Sequence, residues 1–264
     1  MVAWRILLPW TERQIGAEPF LWVLGLLFTG WRKLTLCAVW TAAILFAVLL
    51  FNRLDATSDN VARTKAQLYL RRKFFHLLAV LMFAPGALLE PQFMHLAFSV
   101  AVCAFIIVEY LRSLRVPPFG DTLHAFLTRF LDHRDAGPVI LSHIYLLLGC
   151  AIPIWLQVGQ PAGGAGLAAL AGVITLGFGD AMASTVGIRF GQRRWPGTSK
   201  TVEGTLAFVI CVQLSPWLLG LSIPNQTTML FVAVLAGALE CVSDQNDNLL
   251  LPPVTYATMR LVGL

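Results

Sequence analysis

A carboxylate stands near the end of a long apolar run in this sequence, shortly before a basic and polar segment. Asp180 follows Gly177 and Gly179, and Ser184 comes four residues later on the same helical face. A charge at the edge of a membrane span is costly unless it is paired or bound to an ion, so it marks a candidate functional site. We predict that Asp180 ligates magnesium or orients an acceptor hydroxyl, and that the glycines indicate close backbone approach or an irregular helix end. The plainer alternative is a helix cap that faces water.

The segment after Asp180 has the composition of a phosphate-binding loop. Its six residues from Pro196, PGTSKT, differ from a Walker A loop because Ser199 precedes Lys200 and no strand comes before. A turn, hydroxyl groups and an ammonium can nevertheless surround a triphosphate. The residues of this loop that could do so are Arg193, Arg194, Gly197, Thr198, Lys200 and Thr201. An ordinary polar loop is the alternative.

Acidic and amide side chains recur near the carboxyl end of the chain. They are Glu240, Asp244, Asp247 and Asn248, whose offsets of four, seven and eight residues place them along one helical stripe. Carboxylates this close repel one another unless a cation lies among them or one takes up a proton. We predict a magnesium site here, and a solvated helix end is the alternative.

A basic cluster precedes the apolar run that starts at Phe74. It contains Arg71, Arg72, Lys73 and His76. Such clusters most often anchor a span to lipid phosphates, although His76 shares a helical face with Lys73 and could bind a phosphate. Elsewhere in the sequence, Glu109 and Arg112 have the spacing of an ion pair within one helix.

Composition defines the elements that must position these residues. Hydrophobic residues make up 57% of the 264 residues and charged residues only 12%, against about 45–50% and about 25% in soluble domains. We therefore predict an all-α integral membrane protein, a polytopic bundle with about eight transmembrane helices. The candidate spans are Leu34–Phe51, Phe74–Glu90, Phe93–Leu111, Pro138–Val158, Ala162–Ser184, Thr205–Ile223, Thr228–Val242 and Leu249–Leu264. The net charge of +5 lies in loops rather than in one basic domain, which argues against a nucleic-acid partner.

Loops that carry lysine and arginine alternate along the chain with turns that carry neither. The segments Asn52–Lys73, Arg112–Gly137 and Thr185–Gly204 carry the basic residues, and the turns between them carry none. This positive-inside pattern places the three basic segments on the cytosolic face, and the acidic segment Ser243–Asn248 with them. All the charged clusters are therefore expected on one side of the membrane, as a shared active site requires.

Four blocks in this order resemble the signature motifs of dolichol kinases, within the polyprenol kinase family. They are RRKFFH from Arg71, GDAMAS from Gly179, PGTSKTVEGT from Pro196 and DNLLLP from Asp247. The resemblance implies a multi-pass enzyme of the endoplasmic reticulum membrane that uses CTP and a divalent cation such as Mg²⁺ to phosphorylate dolichol, giving dolichyl phosphate for protein glycosylation. It implies a kinase domain over residues 61–264, preceded by a shortened N-terminal membrane segment over residues 1–60.

The resemblance and the spacing arguments together give expected roles for the candidate residues. CTP would be bound by Arg72, Lys73 and His76 of the basic cluster and by the loop, including Gly204. Asp180, Lys200 and Glu203 would be catalytic, with Asp180 or Glu203 accepting the proton of the lipid hydroxyl and Lys200 offsetting charge on the phosphates. Asp180, Glu240, Asp247 and Asn248 would hold the metal. A cytidylyltransferase that makes a CDP-lipid, a kinase for another prenol and a membrane transporter are the alternatives.

Overall fold

The chain is helical throughout its described part. The computed structural model describes residues 2–56, 65–128, 139–157, 166–223, 225–243 and 247–264. Within these ranges the only extended pairing is an isolated bridge between Arg194 and Thr201. The prediction of an all-α protein is thus confirmed for the segments that are described.

The chain divides into two compact units, Met1–Thr57 and Ser58–Leu264. The first contains helices α1 (Val2–Ile15), α2 (Pro19–Phe28) and α3 (Trp31–Ala56). The short apolar segment that begins at Phe20 lies outside the candidate spans, and it forms most of α2. This helix starts at a proline, and the Glu18 side chain accepts a hydrogen bond from the Leu21 N–H at 2.7 Å.

In its described residues, the second unit contains eight further α-helices and one irregular region. The α-helices are α4 (Lys65–Leu89), α5 (Pro91–Ser113), α6 (Gly120–Leu127), α7 (Ser142–Trp155), α8 (Ala181–Phe190), α9 (Val202–Leu218), α10 (Gln226–Val242) and α11 (Asp247–Leu261). A short 3₁₀-helix, Leu167–Leu170, and a π-helix, Val173–Asp180, precede α8. The π-helix packs against α4 and α9, and α11 packs against α7.

Among the segments that the structure describes, three helical stretches are long and apolar enough to cross a membrane. They are Trp31–Leu54, Arg71–Leu89 and Pro91–Ser113, and several shorter apolar helices accompany them. The chain is therefore a helical membrane protein, as predicted. The apolar segments expected from sequence coincide with helices, but the number of spans remains a prediction.

The expected span Ala162–Ser184 does not form one regular helix. Its described part consists of the 3₁₀-helix, the π-helix and the first turn of α8. The expectation that Gly177 and Gly179 permit close approach is confirmed, because a Cβ at Gly177 would collide with Val80 and one at Gly179 would lie 2.6 Å from the Phe208 ring. π-Helical turns are rare and are frequent at functional sites.

The predicted ion pair at the end of α5 is confirmed, and it fastens neighbouring segments. Arg112 donates to both carboxylate oxygens of Glu109, at 2.8 Å and 2.6 Å. The same carboxylate accepts from the Ile140 N–H at 2.6 Å, and an Arg112 nitrogen lies 3.2 Å from His124 Nδ1 on α6. Both members of the pair are buried. Together these bonds hold α5, α6 and the segment before α7 in one arrangement.

The close contact between Gly172 and the backbone of α7 gives the first prediction. Gly172→Ala should lower the free energy of unfolding by about 1–3 kcal/mol, because the added Cβ would overlap the Gly149 carbonyl oxygen and lie 2.6 Å from Cys150 Cα. Thermal unfolding in detergent would measure it. Gly25→Ala in α2 is the control, since open space surrounds that position and alanine favours a helix. Equal stability of the two variants would contradict the close contact.

Candidate functional site

Asp180 is a buried acidic group at the centre of the candidate site. It is the last residue of the π-helix, and only 2% of its surface is exposed. Lys73 of α4 forms an ion pair with its Oδ2 atom, and His76 Nε2 lies 3.1 Å from the same oxygen. The alternative in which Asp180 faces water is therefore wrong. The ammonium of Lys73, from a helix far away in sequence, offsets its charge, and the His76 ring lies against the same oxygen.

His76 connects three segments through its two ring nitrogens. Nδ1 lies 3.0 Å from the backbone oxygen of Arg72, and a carbonyl can only accept, so this nitrogen carries a hydrogen. Nε2 faces Asp180 and also lies 3.4 Å from Oδ1 of Asn248, at the start of α11. The ring is buried. It thereby fixes α4, the π-helix and α11 relative to one another.

A second ion pair lies close to the first. Lys200 Nζ pairs with Oε1 of Glu240, whose side chain is only 2% exposed, whereas that of Lys200 is 22% exposed. Lys200 is also close enough to Asp180 to interact with it electrostatically. The predicted convergence of the carboxylate at 180 with the lysine at 200 is thus seen in the structure. We call Lys73, His76, Asp180, Lys200, Glu240 and Asn248 the charged cluster.

The loop of residues 191–201 is held by hydrogen bonds to its own ends. The Trp195 N–H donates to the Lys200 carbonyl at 3.0 Å, and the Val202 N–H donates to the Arg193 carbonyl at 2.9 Å. At the tip, Gly197 has a φ of +77°, a conformation that glycine adopts readily. The backbone of the loop is therefore shaped before any ligand binds.

The first turn of α9 supplies further anchors for this loop. The Arg193 N–H lies 3.2 Å and 3.3 Å from the two carboxylate oxygens of Glu203, and the Trp195 indole N–H donates to the Thr205 hydroxyl at 3.0 Å. Thr201 caps α9, because its hydroxyl oxygen accepts from the Gly204 N–H at 3.1 Å. These contacts make the loop an extension of the helix end.

The structure separates the remaining candidates into exposed and enclosed groups. Arg193, Arg194 and Gly197 are exposed, whereas Thr198, Thr201 and Arg72 are half-buried and Gly204 is buried. Glu203 faces the backbone of Arg193, so its role as a proton acceptor remains a prediction, as do the nucleotide-binding roles of the loop. Asp247 begins α11, but its side chain lies outside the described part, and Asp244 lies outside the described residues.

Two glycines of α8 and the following loop matter to the site and were not singled out from sequence. A Cβ at Gly187 would lie 2.9 Å from the Thr201 hydroxyl oxygen, and one at Gly191 would lie 2.6 Å from Thr201 Cγ2. They let the end of α8 approach the cap of α9. Their spacing of four residues is the small-residue pattern of closely packed membrane helices, which could have identified them.

The oxygen atoms of the charged cluster suit a hard divalent cation. Asp180 and Glu240 offer carboxylates, and Asn248 offers an amide oxygen. Among the described side chains no three His, Cys, Asp or Glu residues form a metal-binding group. Mg²⁺ commonly needs only one or two carboxylates, because substrate phosphates and water complete its shell. The donor set therefore fits a cation that arrives with a nucleotide.

These features define a helical membrane protein with a buried charged cluster beside an exposed basic loop. A family model described as dolichol kinase matches residues 1–159. The chain is 41% identical to an Arabidopsis thaliana dolichol kinase over 94% of this chain and 44% of the relative. It is 37% identical to the Homo sapiens dolichol kinase, over 94% and 48%, and 40% identical to that of Schizosaccharomyces pombe, over 92% and 50%. The chain belongs to the dolichol kinase family, which confirms the resemblance seen in the motifs.

The chain spans about half the length of the curated relatives it matches. No solved structure matches it significantly.

The pairing of Asp180 gives the second prediction. Lys73→Met should lower the free energy of unfolding by about 3–5 kcal/mol, because it leaves a buried carboxylate without its ammonium partner. Adding Asp180→Asn should restore much of the loss, since the double variant removes both charges. Thermal unfolding in detergent would measure both effects.

Lys33→Met is the control, because Lys33 is only half-buried and its ammonium donates a solvent-exposed hydrogen bond to the Thr29 hydroxyl, and we expect a change within about 0.5 kcal/mol. A loss no larger in Lys73→Met than in this control would show that the buried pair does not stabilise the fold.

Proposed function

We propose that this chain transfers the γ-phosphate of CTP to the terminal hydroxyl of dolichol, giving dolichyl phosphate for protein glycosylation. The convergence of the charged cluster from five separate segments carries the proposal, because phosphoryl transfer requires alignment and charge stabilisation more than covalent chemistry. Membership of the dolichol kinase family supports the substrate class.

The nucleotide would lie between the charged cluster and the loop of residues 191–201. Arg193 and Arg194 are exposed on this loop, where they can reach a phosphate from solution. The tip offers the Thr198 hydroxyl, whose oxygen accepts from the Lys200 N–H and whose own hydrogen can be donated to a phosphate oxygen. Lys200 connects the loop to the buried carboxylates, so its ammonium is placed to offset charge on the transferring phosphoryl group.

The lipid hydroxyl would approach from the bilayer to Asp180. This carboxylate is held on one oxygen by Lys73 and His76, so its position is defined before substrate binds. It can orient the acceptor hydroxyl and receive its proton. A Mg²⁺ ion held by Asp180 and Asn248, with Asp247 as a further candidate ligand, would neutralise phosphate charge when present.

The location of the site follows from charge. The basic segments around the site lie on the cytosolic face by the positive-inside rule, and the family implies the endoplasmic reticulum membrane. We therefore propose that CTP enters from the cytosol, and that dolichol and other membrane lipids are the partners.

Position-specific labelling of CTP tests the reaction. Purified protein in detergent is incubated with dolichol and Mg²⁺, in parallel with γ-labelled CTP, α-labelled CTP and γ-labelled ATP. The proposal expects label in the lipid from γ-labelled CTP alone. Label from α-labelled CTP would instead show a cytidylyltransferase, and no transfer from any donor would overturn the kinase assignment for this chain.

Asp180 gives the third prediction. Asp180→Asn should lower kcat by about 100-fold or more, because the amide cannot accept the hydroxyl proton and holds a cation poorly. Activity is compared for protein that elutes as a single folded species, with Asp121→Asn as the control, since Asp121 is exposed on α6. Near-normal turnover in Asp180→Asn would remove this residue from the mechanism.

The exposed arginines give the fourth prediction. Arg193→Ala and Arg194→Ala should each raise KM for CTP by about ten-fold, as for the loss of one charge-assisted contact, and change the free energy of unfolding by at most about 0.5 kcal/mol. Initial rates at varied CTP would measure it. Arg260→Ala is the control. This arginine is exposed in the last turn of α11, at the opposite end of the helix from Asn248 of the charged cluster. An unchanged KM in both loop variants would exclude them from CTP binding.

A further inference from the structure

Glu240 is an acidic residue that is buried away from water. It lies in the last turn of α10, an apolar helix, and only 2% of its surface is exposed. Ionised carboxylates are rarely buried in apolar surroundings unless a partner offsets their charge. The ion pair with Lys200 supplies such a partner. The carboxylate is thus stable where it lies because of a lysine from another segment.

The same pair has a consequence for the lysine. The backbone of Lys200 is fixed, because its carbonyl accepts from the Trp195 N–H at 3.0 Å and its own N–H donates to the Thr198 hydroxyl oxygen at 3.2 Å. Its side chain has four rotatable bonds, and an unpaired ammonium at a membrane edge turns towards water. Glu240 holds it inward, where it also interacts with Asp180.

A direct metal-binding role would use the same carboxylate differently. A divalent cation on Glu240 would face the Lys200 ammonium at close range, and like charges at close range repel. Asp180 and Asn248 are connected to each other through His76 and belong to other segments. Asp180 is also paired with a lysine, but Lys73 and His76 both lie at its Oδ2 atom, so its Oδ1 atom can face a cation. The contacts therefore favour a division in which Asp180 and Asn248 face the cation and Glu240 serves the Lys200 ammonium.

We propose that Glu240 is a positioning residue, which directs the Lys200 ammonium towards the transferring phosphate and is not a ligand of the cation. This inference rests on the proposed function, since it assumes that Lys200 meets the phosphates of the nucleotide. It also makes a claim about the empty protein, namely that Glu240 keeps Lys200 away from water. That claim can be tested without any turnover.

The kinetic experiment compares Glu240→Gln, Lys200→Met and the double variant. We expect Glu240→Gln to raise KM for CTP or lower kcat by about ten-fold, with the Mg²⁺ concentration for half-maximal rate unchanged at saturating CTP. The double variant should be no worse than Lys200→Met, because residues that act through one another are not additive. Glu240→Asp should recover part of the rate. An increased Mg²⁺ requirement, or losses that add, would overturn the proposal.

A chemical experiment separates this inference from the proposed reaction. The full chain in detergent, without nucleotide, is treated briefly with an amine-reactive ester, and the modified fraction of Lys200 is measured by mass spectrometry. Glu240→Gln should label several-fold faster at Lys200 than the wild type. Unchanged labelling would overturn the positioning role even in an active kinase. Faster labelling in a protein that fails to use γ-labelled CTP would leave the positioning intact and refute the kinase assignment.

Glu109→Gln is the matched control for both experiments. Glu109 is also buried and ion-paired, but with Arg112 at the end of α5. Loss of its charge should reduce stability while leaving Lys200 labelling and KM for CTP unchanged. If Glu109→Gln altered them as much as Glu240→Gln does, the effect would be general destabilisation and the proposal would fail.

Discussion

The need to neutralise carboxylates away from water is the constraint on which this structure depends. Asp180 and Glu240 are each about 2% exposed, and each is matched by a lysine from a different segment. A buried charge without such a partner is strongly unfavourable. The folded state therefore requires α4, the π-helix, the basic loop and α10 to meet. The arrangement that stabilises the fold also brings together the groups to which we assign the proposed phosphoryl transfer.

Much of this arrangement could be predicted from sequence, because its signals are local. Apolar length gave the helices, and the alternation of lysine and arginine indicated that the charged segments share one face. The partners in the two long-range ion pairs could not be predicted. Asp180 pairs with a lysine 107 residues away, and Lys200 with a glutamate 40 residues away. Spacing along one helix identifies charged stripes, but only tertiary packing decides which stripe each lysine reaches.

The irregular helix before α8 shows that the prediction of backbone conformation from sequence is limited in the same way. Gly177 and Gly179 indicated an irregular end, yet the π-helical form depends on neighbours that sequence does not reveal, namely Val80 and Phe208. The acidic cluster near the carboxyl end remains a predicted magnesium site. Its members divide by packing, since Asn248 contacts His76 whereas Glu240 contacts Lys200.

The attachment of the basic loop to α9 has a consequence for the energetics of ligand binding. Bonds from Arg193 to Glu203 and from Trp195 to Thr205 already restrict the loop backbone and one of its large side chains. A ligand that binds at the tip therefore incurs only a small conformational-entropy cost for ordering the loop. The heat and entropy of association should then report the new contacts and released water, with little contribution from local folding.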